Sequence, residues 1–335
     1  MFMHASIIIV NWNTGQLLHK CVESIYKLDG KYSFEIIIVD NASKDESMNI
    51  VIKEYSNITY IKNKINLGFA AANNQAIKVA KGKYILLLNP DTEFTDNANL
   101  TIMLDYMMTN STVGISGCKL MYQDGRWQKS IGHFSTILSG LAEQTGFNHI
   151  MHRNKILRKT GNILAPIFKN NLSHFNERKH LSHLPIDVDF IWGAYFLINK
   201  NVINQIGLLD ETFFIFGEES DYCFRAKKYG WKVQYVPYTS IIHISGQSQK
   251  NNITQMYYWH IAIYFWFFRK HFPIKLFIWL PLTFIIQGVL YLNSMFRRNS
   301  VTGFIHYQIM NLCITNINNY PLIIHEKWKS IYTNS

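Results

Sequence analysis

At 335 residues the chain can bury a substantial core as one large domain or two smaller ones, and with 48% apolar and 15% aromatic residues it is neither a disordered tail nor a fibre. A formal charge of +11 suits an anionic partner, which could be nucleic acid, a phosphorylated small molecule or an acidic membrane surface. The cysteines, Cys21, Cys118, Cys223 and Cys313, show no C-x-x-C spacing, which argues against a zinc knuckle and a disulfide framework and fits a reducing, cytosolic compartment.

The N-terminal MFMHASIIIVNWN has no basic region and its apolar run breaks at Asn11, so no signal peptide is expected. ASIIIVN reads as a buried strand, and Leu17, Leu18, Cys21, Val22 and Ile25 follow at helical spacing. Then come a strand FEIIIVD, a polar helix from about Lys44, a short strand ITYIKN, a helix through FAAANNQAIKVAKG and the strand KYILLLN. Continuous aliphatic strands alternating with helices predict an α/β fold with a mostly parallel sheet covered on both faces. Such sheets hold ligands beyond the carboxyl ends of the strands, where Asn11, Asp40 and Asp91 fall. Pro90 fixes its own φ and keeps Asn89 extended, so the chain leaves that strand end in a defined direction.

From Val113 shorter strands are expected, with Asp124-Gly125 as a hairpin signal. Residues 135–185 carry a basic, histidine-rich stretch that reads as a solvated loop or as a contact to phosphate or membrane. VDFIWGAYFLI predicts a strand, Tyr222, Arg225, Ala226 and Tyr229 a helix closed by Gly230, and KVQYVPYTSIIHISG a further strand.

No G-x-G-x-x-G follows the first strand and no P-loop occurs, which makes a dinucleotide oxidoreductase or a P-loop ATPase a poor match. Strand ends bearing Asp40, Asp91 and Glu93 would repel a bare diphosphate. A divalent cation held by a carboxylate reverses that sign, so Asp91 reads as a metal ligand. Alone, each acid also fits a turn or the first turn of a helix, and His243 fits a core position.

In this order, SIIIVNWNT, EIIIVDNASKD, NLGFAAANNQAI, GKYILLLNPDTEF, FIWGAYFLI, FGEESDYCFRAKKYGW and IIHISG resemble the signature segments of bacterial family 2 glycosyltransferases of the rhamnosyltransferase-like group. The resemblance covers roughly residues 5–270 and implies an A-type nucleotide-sugar fold, Mg²⁺ or Mn²⁺, and inversion at the anomeric carbon. It implies that Val10 and Asn11 border the base and ribose, that Asp40 and Asn41 bind the pyrimidine or ribose, and that Asn66, Gly68, Asn73 and Asn89 line the donor pocket. Asp91 takes the metal position of the family's D-x-D motif, with Glu93 displaced from the usual second acid and His243 closing the metal site. The general base falls in GEESD, where Glu219 replaces the family's Asp; Glu218 is the alternative and Asp221 completes the acidic set. Trp192, Gly193 and Ala194 would wall the acceptor pocket.

After about Asn251 the chain becomes densely aromatic, and Leu276 to Phe296 carries no charge, flanked by Arg269, Lys270 and Lys275 before it and Arg297 and Arg298 after it. The run is long enough to span a bilayer, but Pro281, Gln287, Gly288, Asn293 and Ser294 interrupt it, which favours an in-plane or re-entrant segment over a span or an ordinary core helix. The expected organisation is therefore a catalytic domain over 1–250, with a nucleotide half over 1–115 and an acceptor half over 116–250, and a membrane-associating helical region over 251–335. With the resemblance this implies an enzyme on the cytoplasmic face of a bacterial membrane. Its partners would be a nucleotide-sugar donor, a lipid-linked glycan acceptor and the membrane surface. No recognition helix or zinc site points to nucleic acid.

Overall fold

A computed structural model of the chain describes residues 3–145, 183–244, 253–297 and 300–315. The basic stretch from His152 to His180 lies outside the described residues. The first part runs β1 (Ala5–Asn11), α1 (Gln16–Tyr26), β2 (Phe34–Asp40), α2 (Ser47–Glu54), β3 (Ile58–Lys62), α3 (Phe69–Val79), β4 (Tyr84–Leu88), β5 (Thr92–Phe94) and α4 (Asn99–Thr109). It continues with β6 (Val113–Met121), β7 (Trp127–Gln128), β8 (Ile131–Gly132) and α5 (Ile137–Gln144). After the undescribed stretch come β9 (Ile186–Asp187), β10 (Phe190–Ile191), β11 (Tyr195–Asn199), α6 (Lys200–Ile206), α7 (Glu218–Lys228) and β12 (Lys232–His243).

The central sheet has the order β3-β2-β1-β4-β11-β6-β12-β5, with β7 on β6 and β9 on β12. Strands β1 to β4 are parallel, β11 runs antiparallel between β4 and β6, and β12 is parallel to β6. Side chains alternate across a strand, and β1 shows why every position in it is buried. Ile7 and Ile9 pack with Leu18 and Val22 of α1, Met48 and Val51 of α2, and Leu100 and Leu104 of α4. Ile8 and Val10 face the opposite way, toward Ala72 and Ala76 of α3, Val202 of α6 and Tyr222 and Ala226 of α7. The α/β architecture expected from the aliphatic strands is the one observed: a largely parallel sheet covered on both faces, with an apolar, aromatic helical region after it.

The hairpin at Asp124-Gly125 forms as the sequence predicts, pairing Leu120 with Gln128 and Met121 with Trp127. VDFIWGAYFLI differs from the single strand expected. Phe190 and Ile191 pair with β8 in a separate two-stranded sheet, whereas Tyr195–Asn199 pair with β4. The chain changes sheets over Trp192-Gly193-Ala194.

The described residues group into two compact units, one built from residues 3–134 and 183–244, the other from 135–145, 253–297 and 300–315. The second unit contains α5, α8 (Ile253–His271), α9 (Pro273–Phe296) and α10 (Ser300–Thr315). Its α9 buries Leu276, Trp279 and Leu280 together with polar side chains. Thr283, Gln287 and Ser294 are buried, whereas Ile274, Phe277, Ile285, Val289, Leu292 and Phe296 are exposed along one stripe. Inside, Gln144 Nε2 donates to Thr283 Oγ1 at 3.0 Å, Gln287 Nε2 donates to Gln144 Oε1 at 3.2 Å, and His306 Nδ1 donates to Gln287 Oε1 at 2.7 Å.

Candidate functional site

Register brings the polar strand tips together. Asn11 lies opposite Asp40, and Asp40 opposite Lys62, at the carboxyl ends of three parallel strands. Both Asn11 and Asp40 are buried polar groups, so they need partners. Asn11 Nδ2 donates to Asp40 Oδ1 at 3.3 Å, Ser43 Oγ at 3.0 Å and Ser47 Oγ at 2.9 Å, and Thr14 Oγ1 donates to Asn11 Oδ1 at 2.5 Å. Asn11 therefore shapes the floor. Asp40 Oδ1 accepts the Ser43 N–H as well, at 3.2 Å, and its carboxylate keeps acceptor capacity at the tip of β2.

Asn41 joins this floor to the start of α3. Its Nδ2 donates to Asn66 Oδ1 at 2.7 Å and to the Gly68 carbonyl at 3.1 Å, while its Oδ1 accepts from Leu67 N–H at 3.0 Å and Asn63 Nδ2 at 3.1 Å. Gly68, at φ +83°, caps α3 beside Phe214, whose carbonyl accepts the Phe69 N–H at 2.6 Å. Asn73 turns inward and donates to the Phe69 carbonyl of its own helix at 2.9 Å. Val10 is buried in the sheet just behind this floor.

The turn after β4 carries Asn89 and Asp91. Asn89 N–H donates to the Ala194 carbonyl at 3.1 Å, and Thr92 Oγ1 donates to the Asn89 carbonyl at 2.7 Å, closing the turn. Cys21 lies beneath it, its Sγ 3.7 Å from that carbonyl; burial pushes its thiol up to about 12, so it is inert packing. Thr92 pairs with His243 across β5 and β12, which sets His243 Nε2 at 3.3 Å from Asp91 Oδ1 and 3.3 Å from Asn89 Nδ2. His243 Nδ1 donates to Gln128 Oε1 at 2.9 Å. That bond fixes the tautomer, leaving the Nε2 lone pair facing Asp91.

Asp91 and His243 fit a divalent cation. Adjacent ligands of an octahedral ion with bonds of 2.0–2.1 Å lie about 3 Å apart, and here the two donor atoms are separated by 3.3 Å with each side chain 15% exposed. No group of three His, Cys, Asp or Glu side chains converges among the described residues. Glu93, the second acid of NPDTE, is half-buried on β5 opposite Ile242 and does not complete such a cage.

Helix α7 opens with Glu218 and Glu219, both buried, after the left-handed Phe216 and Gly217. Glu219 Oε2 accepts the Gly217 N–H at 3.2 Å. Burial raises its carboxyl, and the Gly217 N–H and the Glu218 carboxyl work against that rise. Burial first, and the Glu219 charge second, push Glu218 well above the usual carboxylate range. Asp221 is engaged elsewhere: fully buried, it holds Arg225 Nε at 2.8 Å, and Arg225 donates to the Ile206 and Leu208 carbonyls at 2.9 Å each. This ion pair anchors the loop that leads to α7.

Trp192, Gly193 and Ala194 form the sheet-crossing segment between these groups. Trp192 Nε1 donates to the Ile131 carbonyl at 3.1 Å, and Lys129 Nζ stands 5.5 Å from the indole centroid. A Cβ on Gly193 would lie 3.9 Å from the Phe69 ring, and Ala194 holds Asn89. Phe69 thus lies beside the sheet-crossing segment at Gly193 and is tied by its N–H to Phe214 in the loop before Glu218 and Glu219.

Several residues in this constellation carry no motif in the sequence. Gln128 reaches His243 only because the β6–β7 hairpin returns along β6, with β12 on its far side. Asn74 clamps the loop before α7, accepting the Leu209 N–H at 3.1 Å and donating to the Leu209 carbonyl and Glu211 Oε1 at 2.9 Å each. Asn63 and Gln75 exchange hydrogen bonds of 2.9 and 3.0 Å behind Asn41. Their one signal in the sequence is the density of amides between Asn63 and Gln75.

The family model described as Glycosyl transferase family 2 matches residues 6–207, and that described as Glycosyl transferase family group 2 matches residues 148–320. The chain is similar to an N-acetylglucosaminyl-diphospho-decaprenol L-rhamnosyltransferase of Mycobacterium tuberculosis, at 22% identity over 72% of this chain and 76% of that protein. It is also similar to a low-salt glycan biosynthesis hexosyltransferase of Haloferax volcanii, at 26% identity over 71% of this chain and 66% of that protein. Among solved structures, a mannosyltransferase from Pyrobaculum calidifontis in complex with GDP-Man and Mn²⁺ is similar with a TM-score of 0.52 at 11% identity, over 98% of this chain and 84% of that one. GalNAc-T7 with UDP, GalNAc and Mn²⁺ is similar with a TM-score of 0.51 at 17% identity over 72% of this chain, which spans only 44% of that structure. At these identities the solved structures establish a shared fold.

Proposed function

The chain belongs to glycosyl transferase family 2 and is a glycosyltransferase, and from that premise we propose that it moves a sugar, with inversion, from a nucleotide-diphosphate donor to a lipid-linked surface glycan. The observation that carries this reading is the Asp91–His243 pair, oriented by Gln128 and set at the same end of the sheet as Asp40 and Asn41. In this reading the nucleotide lies over Asn11, Asp40, Asn41 and Gly68, with Asn66 and Asn73 holding the shape of its floor.

Asp91 and His243 would hold Mg²⁺ or Mn²⁺, which supplies Lewis-acid charge to the departing diphosphate. Gln128 accepts the Nδ1–H and so directs Nε2 toward Asp91, and Asn89 ties the turn to the acceptor wall. On the opposite face of the sugar Glu219 takes the proton of the attacking hydroxyl, a contribution of about 10²–10⁴-fold. Gly217 N–H holds that carboxylate in place. Displacement from the opposite face inverts the anomeric centre.

L-Rhamnose from dTDP-rhamnose is the donor we favour, supported by the rhamnosyltransferase among the similar proteins and by the motif resemblance; a UDP-hexose is the alternative, supported by the hexosyltransferase. The membrane reading rests on α9, the one described helix long and apolar enough to cross a bilayer. An apolar stripe faces outward, Thr283, Gln287 and Ser294 face inward beside Leu276, Trp279 and Leu280, and Lys275 and Arg297 stand at its ends. This is the pattern of a helix immersed against lipid, with basic residues positioned for anionic headgroups.

The test is to assay purified full-length protein in lipid against a panel of nucleotide sugars for release of nucleoside diphosphate, with and without EDTA. Metal-dependent release, abolished by Asp91→Asn, supports the proposal. Binding of nucleotide sugar with no turnover on any donor would instead make the chain a silent scaffold, and full turnover in EDTA would remove the role given to Asp91 and His243.

A further inference from the structure

The Glu218 carboxyl is one that the mechanism above does not use. It is 4% exposed, beside Glu219 at 7%, and its Oε2 has no hydrogen-bond partner. An ionised carboxylate buried with an unpartnered oxygen costs several kcal/mol, whereas a neutral acid at the same place does not. Two adjacent buried carboxylates would in addition repel each other. Only one of the two accepts the backbone N–H of Gly217, and that one is Glu219.

We propose that Glu218 and Glu219 work as a unit that holds one proton: Glu218 carries it and donates it as a hydrogen bond to Glu219, so that Glu219 alone is ionised and available as base. Glu218 is then a positioning residue. The geometry supplies the asymmetry, because the Gly217 N–H donates to Glu219 Oε2 whereas Glu218 Oε2, equally buried, has no partner. The direction of the shift at Glu218, raised by burial and then by the Glu219 charge, agrees. The other ionisable groups nearby do not supply a competing countercharge. Asp221 is neutralised by Arg225 at 2.8 Å, Cys223 is a buried thiol held protonated by burial, and the Lys227 charge acts on Asp189, which His133 meets at 3.2 Å.

The proposal rests on the glycosyltransferase reading for its kinetic consequence but not for its proton count, and the two are measured separately. Infrared spectra of ¹³C-glutamate-labelled full-length protein at neutral pH should show the carbonyl stretch of a protonated carboxylic acid in the wild type, and that band should vanish in Glu218→Gln. No protonated carboxyl in the wild type, or a band that survives Glu218→Gln, overturns the proposal. In kinetics, the acid limb of kcat/KM reports protonation of Glu219. Glu218→Ala removes a donor to the carboxylate, so the limb should move to higher pH by about one unit, a tenfold loss at a fixed pH on the limb. Glu218→Gln restores a donor and should bring the limb back to within about 0.3 unit of wild type. Equal shifts in the two variants, or none in either, also overturn it. Absence of turnover on every donor would count against the glycosyltransferase reading, and the infrared result would still decide the proton.

Discussion

Replacing Gly68 by Ala tests whether the close approach at the start of α3 holds the site together. Gly68 has φ +83° and ψ 175°, a region essentially reserved for glycine, and holding an alanine there costs about 1–3 kcal/mol. A Cβ would also lie 2.4 Å from the Phe214 carbonyl oxygen and 2.8 Å from its ring. That carbonyl cannot simply retreat, because it accepts the Phe69 N–H at 2.6 Å, so relieving the overlap costs about another 1–3 kcal/mol. The total, about 2–6 kcal/mol, is a large share of the 5–15 kcal/mol typical of a domain and corresponds to a fall in Tm of roughly 5–20 °C. Gly125→Ala is the control: its φ is +79°, but no atom lies within 4 Å of the added Cβ. It should cost only about 1–2 kcal/mol. The assay is thermal and urea unfolding of both variants, with nucleotide binding by calorimetry. If Gly68→Ala melts no lower than Gly125→Ala and binds nucleotide normally, the junction of α3 with the loop before α7 is not the rigid element described above.

Glu219→Gln should lose at least about 10²-fold in kcat with nucleotide affinity nearly unchanged, because the proton moves only in the transition state; if Glu218→Gln is the more damaged of the two in steady-state kinetics, the base is the neighbouring residue. Gln128→Leu removes the acceptor that fixes the His243 tautomer and should weaken Mn²⁺ binding about 10–100-fold by titration; unaltered affinity would separate Gln128 from the metal site. Ile285→Glu and Val289→Glu place charges on the exposed stripe of α9, at side chains 61% and 62% exposed. Both should move the full-length protein from the membrane to the soluble fraction, and continued pelleting with membranes would assign that stripe to another surface.

The α/β sheet and the position of its site were legible in the sequence because they depend on local patterns. An aliphatic run that stops at Asn11, Asp40 or Asn89 marks its own carboxyl end, and parallel strands carry those ends to one edge. Asp124-Gly125 announced its hairpin by the φ that only such residues adopt readily. Four features were settled by tertiary structure. Gln128 meets His243 across 115 residues through the pairing of β7, β6 and β12. The break at Trp192-Gly193-Ala194 arises because its two flanks find different partner strands, where an aliphatic run alone promises one. Glu218 and Glu219 are neighbours of the same chemical type, and they differ only in which oxygen meets the Gly217 N–H. On α9 Thr283 and Gln287 turn inward to Gln144 and His306, while an apolar stripe of the same helix is left outside. Composition records how much apolar surface a segment carries. Which face is covered, and which of two identical groups is satisfied, depends on partners distant in the chain.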